Sequence, residues 1–227
     1  MRTAAEVARL LDHAVLRPEL GAADLARHAA MCVARRVGCL CVRSVDVAAA
    51  VRLVAGSEVV VAAVIGFPHG AVAGEVKAHE ARLAIAAGAR ELDMVANLGA
   101  LVSGDEATVR ADIAAVVAEA RPRGVLVKVI LEVCHLSRGQ IETGCRLARE
   151  AGADFVKTST GFAQKASGPT GATPEAVRIM LAAAGDALAV KASGGIRSWD
   201  DATAYLDMGC RRLGVGDAAA ILDGRPG

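Results

Sequence analysis

Apolar residues fall in short blocks along this chain, and each block is followed by a longer stretch in which they recur at helical spacing. The pattern predicts strands near Asp12 to Leu16, Cys39 to Arg43, Val59 to Ile65 and Glu91 to Val95. It predicts four more near Val125 to Glu132, Asp154 to Thr158, Ala187 to Ala192 and Arg211 to Gly214. A helix from Ala4 to Leu11 precedes the first strand. Others follow over Ala22 to Arg36, Val45 to Ala55, Gly74 to Ala87, Glu106 to Arg121, Ser137 to Ala151, Pro174 to Ala184 and Trp199 to Met208. Gly38, Gly88, Gly124, Gly152 and Gly209 each stand just before a strand, where helix C-terminal glycines belong.

Strands alternating with helices imply parallel pairing through right-handed crossovers. Eight such units within 227 residues favour a closed barrel over an open doubly wound sheet. The expectation is one α/β domain over residues 1–227: a single eight-stranded parallel β/α (TIM) barrel with an extra N-terminal helix.

Composition narrows the function. The net charge of +1 gives no case for nucleic acid as a partner. The mean hydropathy of +0.40 raises the question of a membrane. However, the longest run without a charged residue, Val59 to Gly74, contains Gly66, Pro68 and Gly70 and is shorter than the ~20 apolar residues a span needs. A cytoplasmic protein is the default. The six cysteines form no C-x-x-C pair and read as reduced, packed thiols.

The basic residues are 21 Arg and only 5 Lys, so each Lys asks for an explanation. Lys77 lies in a helical stretch and Lys165 in a polar loop. Lys128, Lys157 and Lys191 each lie in an apolar strand. In a barrel of this kind the active site is at the C-terminal ends of the strands. Period-two alternation points Lys128, Lys157 and Lys191 inward together with Asp93 and Glu132, and Asp12 joins them from the first strand. Such a cluster must be mutually compensating, and charge alone is a poor way to fill a barrel. The chemistry it suits is an amine nucleophile. An imine-forming lysine needs a pKa of roughly 7 to 8, and burial beside a second cation supplies that depression. Lys157 and Lys191 end neighbouring strands, and a carboxylate such as Asp93 is needed to move protons through water.

At these residues the sequence strongly resembles the deoxyribose-phosphate aldolase family. The matching runs include Leu11-Asp12-His13, Gly66-Phe67-Pro68-His69-Gly70, Glu91-Leu92-Asp93-Met94, Lys157-Thr158-Ser159-Thr160-Gly161 and Lys191-Ala192-Ser193-Gly194-Gly195. The resemblance covers nearly the whole chain in order. It implies that Lys157 is the Schiff-base lysine, Lys191 the lysine that lowers its pKa, and Asp93 the proton relay. Asp12 and Lys128 would form the supporting network. The implied reaction is reversible cleavage of 2-deoxy-D-ribose 5-phosphate to acetaldehyde and D-glyceraldehyde 3-phosphate, in the breakdown of deoxynucleosides. No metal or organic cofactor is implied, and the implied assembly is a homodimer.

Three departures stand out. Ala14 replaces the family's usual Thr, Arg43-Ser44 replaces an Asn-Pro, and Gly214-Val215-Gly216-Asp217 replaces a hydroxyl-rich, phosphate-binding run. Gly161, Gly194, Gly195, Gly214, Gly216 and Arg197 remain as candidate phosphate-binding residues. Asp217 would repel a phosphate unless it points away. A related aldolase with a changed acceptor, preferring unphosphorylated aldehydes, is therefore the alternative, and a non-catalytic metabolite-binding barrel is the second. The G-x-G-x-x-A run at Gly214 lacks a following βαβ unit, and the H-E-x-x-H start at His79 meets Leu83 instead of a second His. His13 and His69 read as structural or mouth-lining groups, and Cys41 as a packed thiol.

Overall fold

The structure is a computed structural model and describes residues 2–226. Its strands are β1 (Leu11–Val15), β2 (Cys39–Val42), β3 (Val60–Ile65), β4 (Glu91–Val95), β5 (Leu126–Ile130), β6 (Phe155–Lys157), β7 (Ala189–Ser193) and β8 (Arg212–Val215). The helices begin with α1 (Ala4–Ala8), α2 (Ala22–Arg35), α3 (Val47–Leu53), α4 (Gly74–Ala86) and α5 (Leu98–Ser103). They continue with α6 (Glu106–Ala120), α7 (Arg138–Glu150), α8 (Pro174–Ala184), α9 (Trp199–Asp207) and α10 (Ala218–Asp223). The strands close into a barrel in chain order, every pair parallel, with β8 returning to β1. The expected barrel and its extra N-terminal helix are both present. Helix α1 starts at a capping box in which Thr3 and Glu6 satisfy each other's backbone amides.

Two short helices, α5 and α10, do not appear in the hydrophobic pattern. Each is six residues long and rests on its cap: Asn97 accepts from the Ala100 amide, and Asp217 from that of Ala220.

Alternation along the strands divides two apolar layers. Leu92, Met94, Val127, Val129, Val156 and Val190 point outward and pack with the helices in the main core. Inside the barrel, β2 and β3 contribute a smaller cluster of Cys39, Cys41, Ala62 and Val64, joined by Leu16 and covered by Phe67 and Phe162. Much of the rest of the interior is charged. The six cysteines are unpaired and all but Cys134 are buried.

Lys77 has a structural explanation. It is fully buried between α4 and α6, where Nζ donates to Asp112 at 2.6 Å and to the Val95 carbonyl at 2.8 Å. Gly66 is what admits its stem: a Cβ there would stand 2.9 Å from Lys77 Cε, and its φ of +62° already favours glycine.

Candidate active site

Lys128, Lys157 and Lys191 converge on one carboxylate. Asp93 Oδ1 accepts from Lys128 at 2.7 Å, and Oδ2 accepts from both Lys157 and Lys191 at 2.7 Å. Asp12 extends the cluster through Lys191 and, at 3.4 Å, Lys128. Two residues that the sequence did not single out for the site complete it. Glu91 lies 2.5 Å from Lys128, and Arg212 forks onto Glu91 at 3.1 and 3.0 Å while donating to Asp12 at 2.6 Å. Four cations thus meet three carboxylates. Lys128 touches three of those carboxylates, Lys191 and Arg212 two each, and Lys157 only Asp93, on the oxygen it shares with Lys191. Lys157 is the least compensated of the four.

Burial works against charge at Asp93, Asp12 and Lys191, and the partners overcome it. Against burial, Lys128, Lys157 and Lys191 hold Asp93 well below the usual carboxylate range. Lys191, Lys128 and Arg212 do the same for Asp12. Lys191 is itself pushed up, because Asp12 and Asp93 outweigh its burial. It therefore stays a cation at neutral pH beside Lys157. Asp12, Cys39 and Glu91 converge as a metal site would. But Lys128 and Arg212 already occupy the carboxylate oxygens, and burial keeps the Cys39 thiol protonated. Cys41 lies inside the barrel, 4.0 Å from Asp93, and burial pushes its thiol up to about 11. It is a packed thiol, as expected.

The two lysine-bearing motifs fix each other in place. Thr158 Oγ1 donates to the Ser193 carbonyl at 3.0 Å and accepts from the Ser193 amide at 2.9 Å. Ser193 Oγ donates back to the Ser159 carbonyl at 2.5 Å. Side chains that would otherwise compete with the strand ends instead splice β6 to β7 beside Lys157 and Lys191.

Lys157 opens onto a cavity of about 730 Å³ at the C-terminal ends of the strands. The cavity is also lined by Gly161, Gly194, Gly195, Gly214, Gly216 and Arg197, so all six candidate phosphate-binding residues meet there. Lys128, Lys191, Asp12 and Asp93 lie beneath its floor.

Residues 7–214 match the family model described as DeoC/LacD family aldolase. A deoxyribose-phosphate aldolase of Mycolicibacterium paratuberculosis is 48% identical over 227 residues, covering 98% of each chain. One from Clostridium perfringens is 43% identical over 220 residues, 97% of this chain and 96% of that one. The solved tetrameric deoxyribose phosphate aldolase from Aeropyrum pernix superposes with a TM-score of 0.89 at 32% identity, over 97% of this chain and 91% of the other. This chain belongs to the DeoC/LacD aldolase family.

Among the sequence expectations for this family member, Glu132 needs correcting. It is buried but stands apart from the lysines, accepting from the amide and hydroxyl of Thr160 at the rim. Strand β5 ends at Ile130, and the backbone of Glu132 turns left-handed at φ 53°, so alternation no longer predicts its direction. Glu91 was legible: it shares the inward face with Asp93, two residues on. Arg212 was hidden among many surface arginines. Of the departures from the family pattern, Ala14 lines the cavity. Arg43 turns back to donate to the carbonyls of Arg17, Pro18 and Leu20 at 3.2, 2.9 and 2.9 Å, pinning the loop that forms one cavity wall. Asp217 lines the cavity, but its carboxylate accepts from the Ala220 amide at 3.0 Å and so faces its own helix.

Proposed function

We propose that this aldolase reversibly cleaves 2-deoxy-D-ribose 5-phosphate to acetaldehyde and D-glyceraldehyde 3-phosphate through a Schiff base on Lys157. The observation that carries this reading is the placement of the amines. One of them, the least compensated, meets a substrate-sized cavity, while its cationic neighbours are sealed below. A barrel filled only for stability has no reason to lead one lysine to an open mouth.

Lys157 adds to the C1 aldehyde of the open sugar and loses water to give an imine. The C3 hydroxyl then yields its proton and the C2–C3 bond breaks. D-Glyceraldehyde 3-phosphate departs, the C2–C3 electron pair becomes the C1=C2 bond of an enamine, and the nitrogen of the protonated imine takes up the C=N pair. Protonation of C2 and hydrolysis release acetaldehyde and restore the amine. Lys191 remains charged beside the imine, which favours loss of the proton from Lys157. Asp93 holds both amines on one oxygen and acts with a water to carry protons to and from the reacting atoms. Asp12 and Lys128 keep Asp93 and Lys191 in register. Gly161, Gly194, Gly195, Gly214 and Gly216, with Arg197, line the end that takes the phosphate. Asp217 alone favours an unphosphorylated acceptor, and its turn toward Ala220 weakens that second reading.

The wider setting is part of the same proposal. Residues 1–227 serve as one catalytic domain that acts without metal or cofactor in deoxyribose-phosphate breakdown. Six unpaired cysteines suit a reducing, cytoplasmic compartment, and among the described residues no helix is long and apolar enough to cross a membrane. Exposed Val76 and Leu83 share one face of α4 and suit self-association, of which a homodimer is the smallest form.

Borohydride with acetaldehyde tests the chemistry. Reduction should leave an ethyl group on Lys157, found by peptide mass mapping. Lys157→Arg should lose both the adduct and turnover, the latter by on the order of 10³-fold or more. An adduct on another residue, or turnover surviving in Lys157→Arg, removes the proposal.

A further inference from the structure

One polar pair on the cavity wall has no part in the chemistry described so far. His13, on β1, is 1% exposed, and its Nε2 lies 2.8 Å from Nδ1 of His28 on α2. On its other side, His13 Nδ1 accepts from the amide of Ala218, the first residue of α10, at 3.3 Å. His28 lines the cavity. Its Nε2 has no partner among the described residues.

These contacts fix every proton in the pair. An amide can only donate, so His13 Nδ1 carries no hydrogen. A neutral His13 then bears its hydrogen on Nε2 and donates to His28 Nδ1. That leaves His28 with its hydrogen on Nε2, the free atom. Protonating either ring would set two donors face to face, at the histidine–histidine contact or at the Ala218 amide. The pair therefore resists charge. Burial, then His28, brings His13 down to about 4. His28 is lowered too, by burial and Arg27, and the other charges around it are Asp24 on α2, Arg17 before α2 and Asp217 before α10.

The location matters as much as the polarity. Both rings stand by β1 and the start of α10, whereas Lys157 is on β6. Two amides at the start of α10 are already committed, that of Ala218 to His13 and that of Ala220 to Asp217. Those two amides are not free to meet a phosphate at this end. We propose that His28 is a substrate-binding residue: a neutral donor that gives its Nε2 hydrogen to a phosphate oxygen at the end of the sugar remote from Lys157. The inference rests on the aldolase reading above. A relay from a backbone amide through a buried histidine sets the donor's polarity, and Arg17 and Arg197 line the same cavity and supply the charge.

Two experiments test it. His28→Phe keeps the ring and removes the donor. It should raise KM for 2-deoxy-D-ribose 5-phosphate about tenfold, as loss of one hydrogen bond to a charged group does. It should change kcat less than about twofold and leave KM for unphosphorylated 2-deoxy-D-ribose nearly unmoved. An unchanged KM, or an equal rise for both sugars, overturns the proposal. The second uses the unsubstituted protein labelled with ¹⁵N-histidine, and so does not depend on the variant folding. The His28 ring should show the neutral Nε2–H form, and its signals should shift on saturation with D-glyceraldehyde 3-phosphate. A hydrogen on Nδ1, or signals that stay put at saturation, also overturns it. Trapping of acetaldehyde by borohydride on the unsubstituted protein reports separately on the Schiff-base reading, so the two failures are distinguishable.

Discussion

Lys191 reaches Asp12 and Asp93 because Gly214 has no side chain. A Cβ at Gly214 would stand 2.7 Å from Ser193 Cβ and 3.2 Å from Lys191 Cε. The neighbouring contact is a short side chain fixed to its strand, so it has little room to give. The sequence suggests a phosphate cradle for this glycine, and it does line the cavity, but the closest demands on it come from the Ser193 side chain and, next, the lysine stem. Gly214→Ala should displace Ser193 and push Lys191 away from Asp93. Displacements of about 1 Å at a catalytic centre cost on the order of 10²-fold in rate, so kcat should fall by one to two orders of magnitude with KM little changed. Overpacking should also cost about 1–3 kcal/mol in stability, read by urea unfolding. Wild-type kcat in this variant would show that Lys191 tolerates the crowding. Gly194 has a similar steric role: a Cβ there would meet Gly171 Cα at 2.8 Å, so two loops touch where neither has a side chain.

The long helices were legible, and the two six-residue helices α5 and α10 were not, for reasons of length and capping. Helices α2, α6 and α7 run 14, 15 and 13 residues, enough for a repeating apolar face to declare itself. Helix α10 has six residues, and its start depends on one side chain, Asp217. Read as part of a loop, Asp217 is a carboxylate beside a phosphate site. Read as a cap, it is committed to its own helix. The two readings separate in Asp217→Ser. Serine caps about as well as aspartate, so stability should change by less than about 0.5 kcal/mol. The charge is gone, however, and a severalfold lower KM for 2-deoxy-D-ribose 5-phosphate is expected, with no change for the unphosphorylated sugar. An unaltered KM would mean that the cap already keeps this carboxylate clear of the substrate.

Across the whole molecule, the interior charge cluster was legible to the extent that its residue types were rare. Five lysines among 26 basic residues drew attention to Lys128, Lys157 and Lys191, whereas Arg212 looked like its many surface counterparts and Glu132 was misplaced by a turn that ends the alternation. The cluster also sets how stability should vary with pH. Asp12 and Asp93 are held below their unfolded values, so between the folded and unfolded pKa values the unfolded chain binds more protons. Their contribution is present above about pH 4 and is lost as pH falls below it. Lys128 and Lys191 are raised, so their contribution is complete below about pH 10.4 and is lost only as pH rises beyond that. Glu132 and Asp112, raised mainly by burial, oppose the carboxylate trend over the pH range just above 4. The net expectation is a Tm that is nearly level from about pH 7 to 9, declines below about pH 6.5 as the unfolded chain protonates His13 and His28, and falls steeply below about pH 4. Unfolding near pH 3.5 should take up protons, measured by calorimetry in two buffers of different ionisation enthalpy. Unfolding that takes up none there would mean the surrounding cations do not hold Asp93 and Asp12 ionised, and the arrangement that leaves Lys157 least compensated would lose its electrostatic basis.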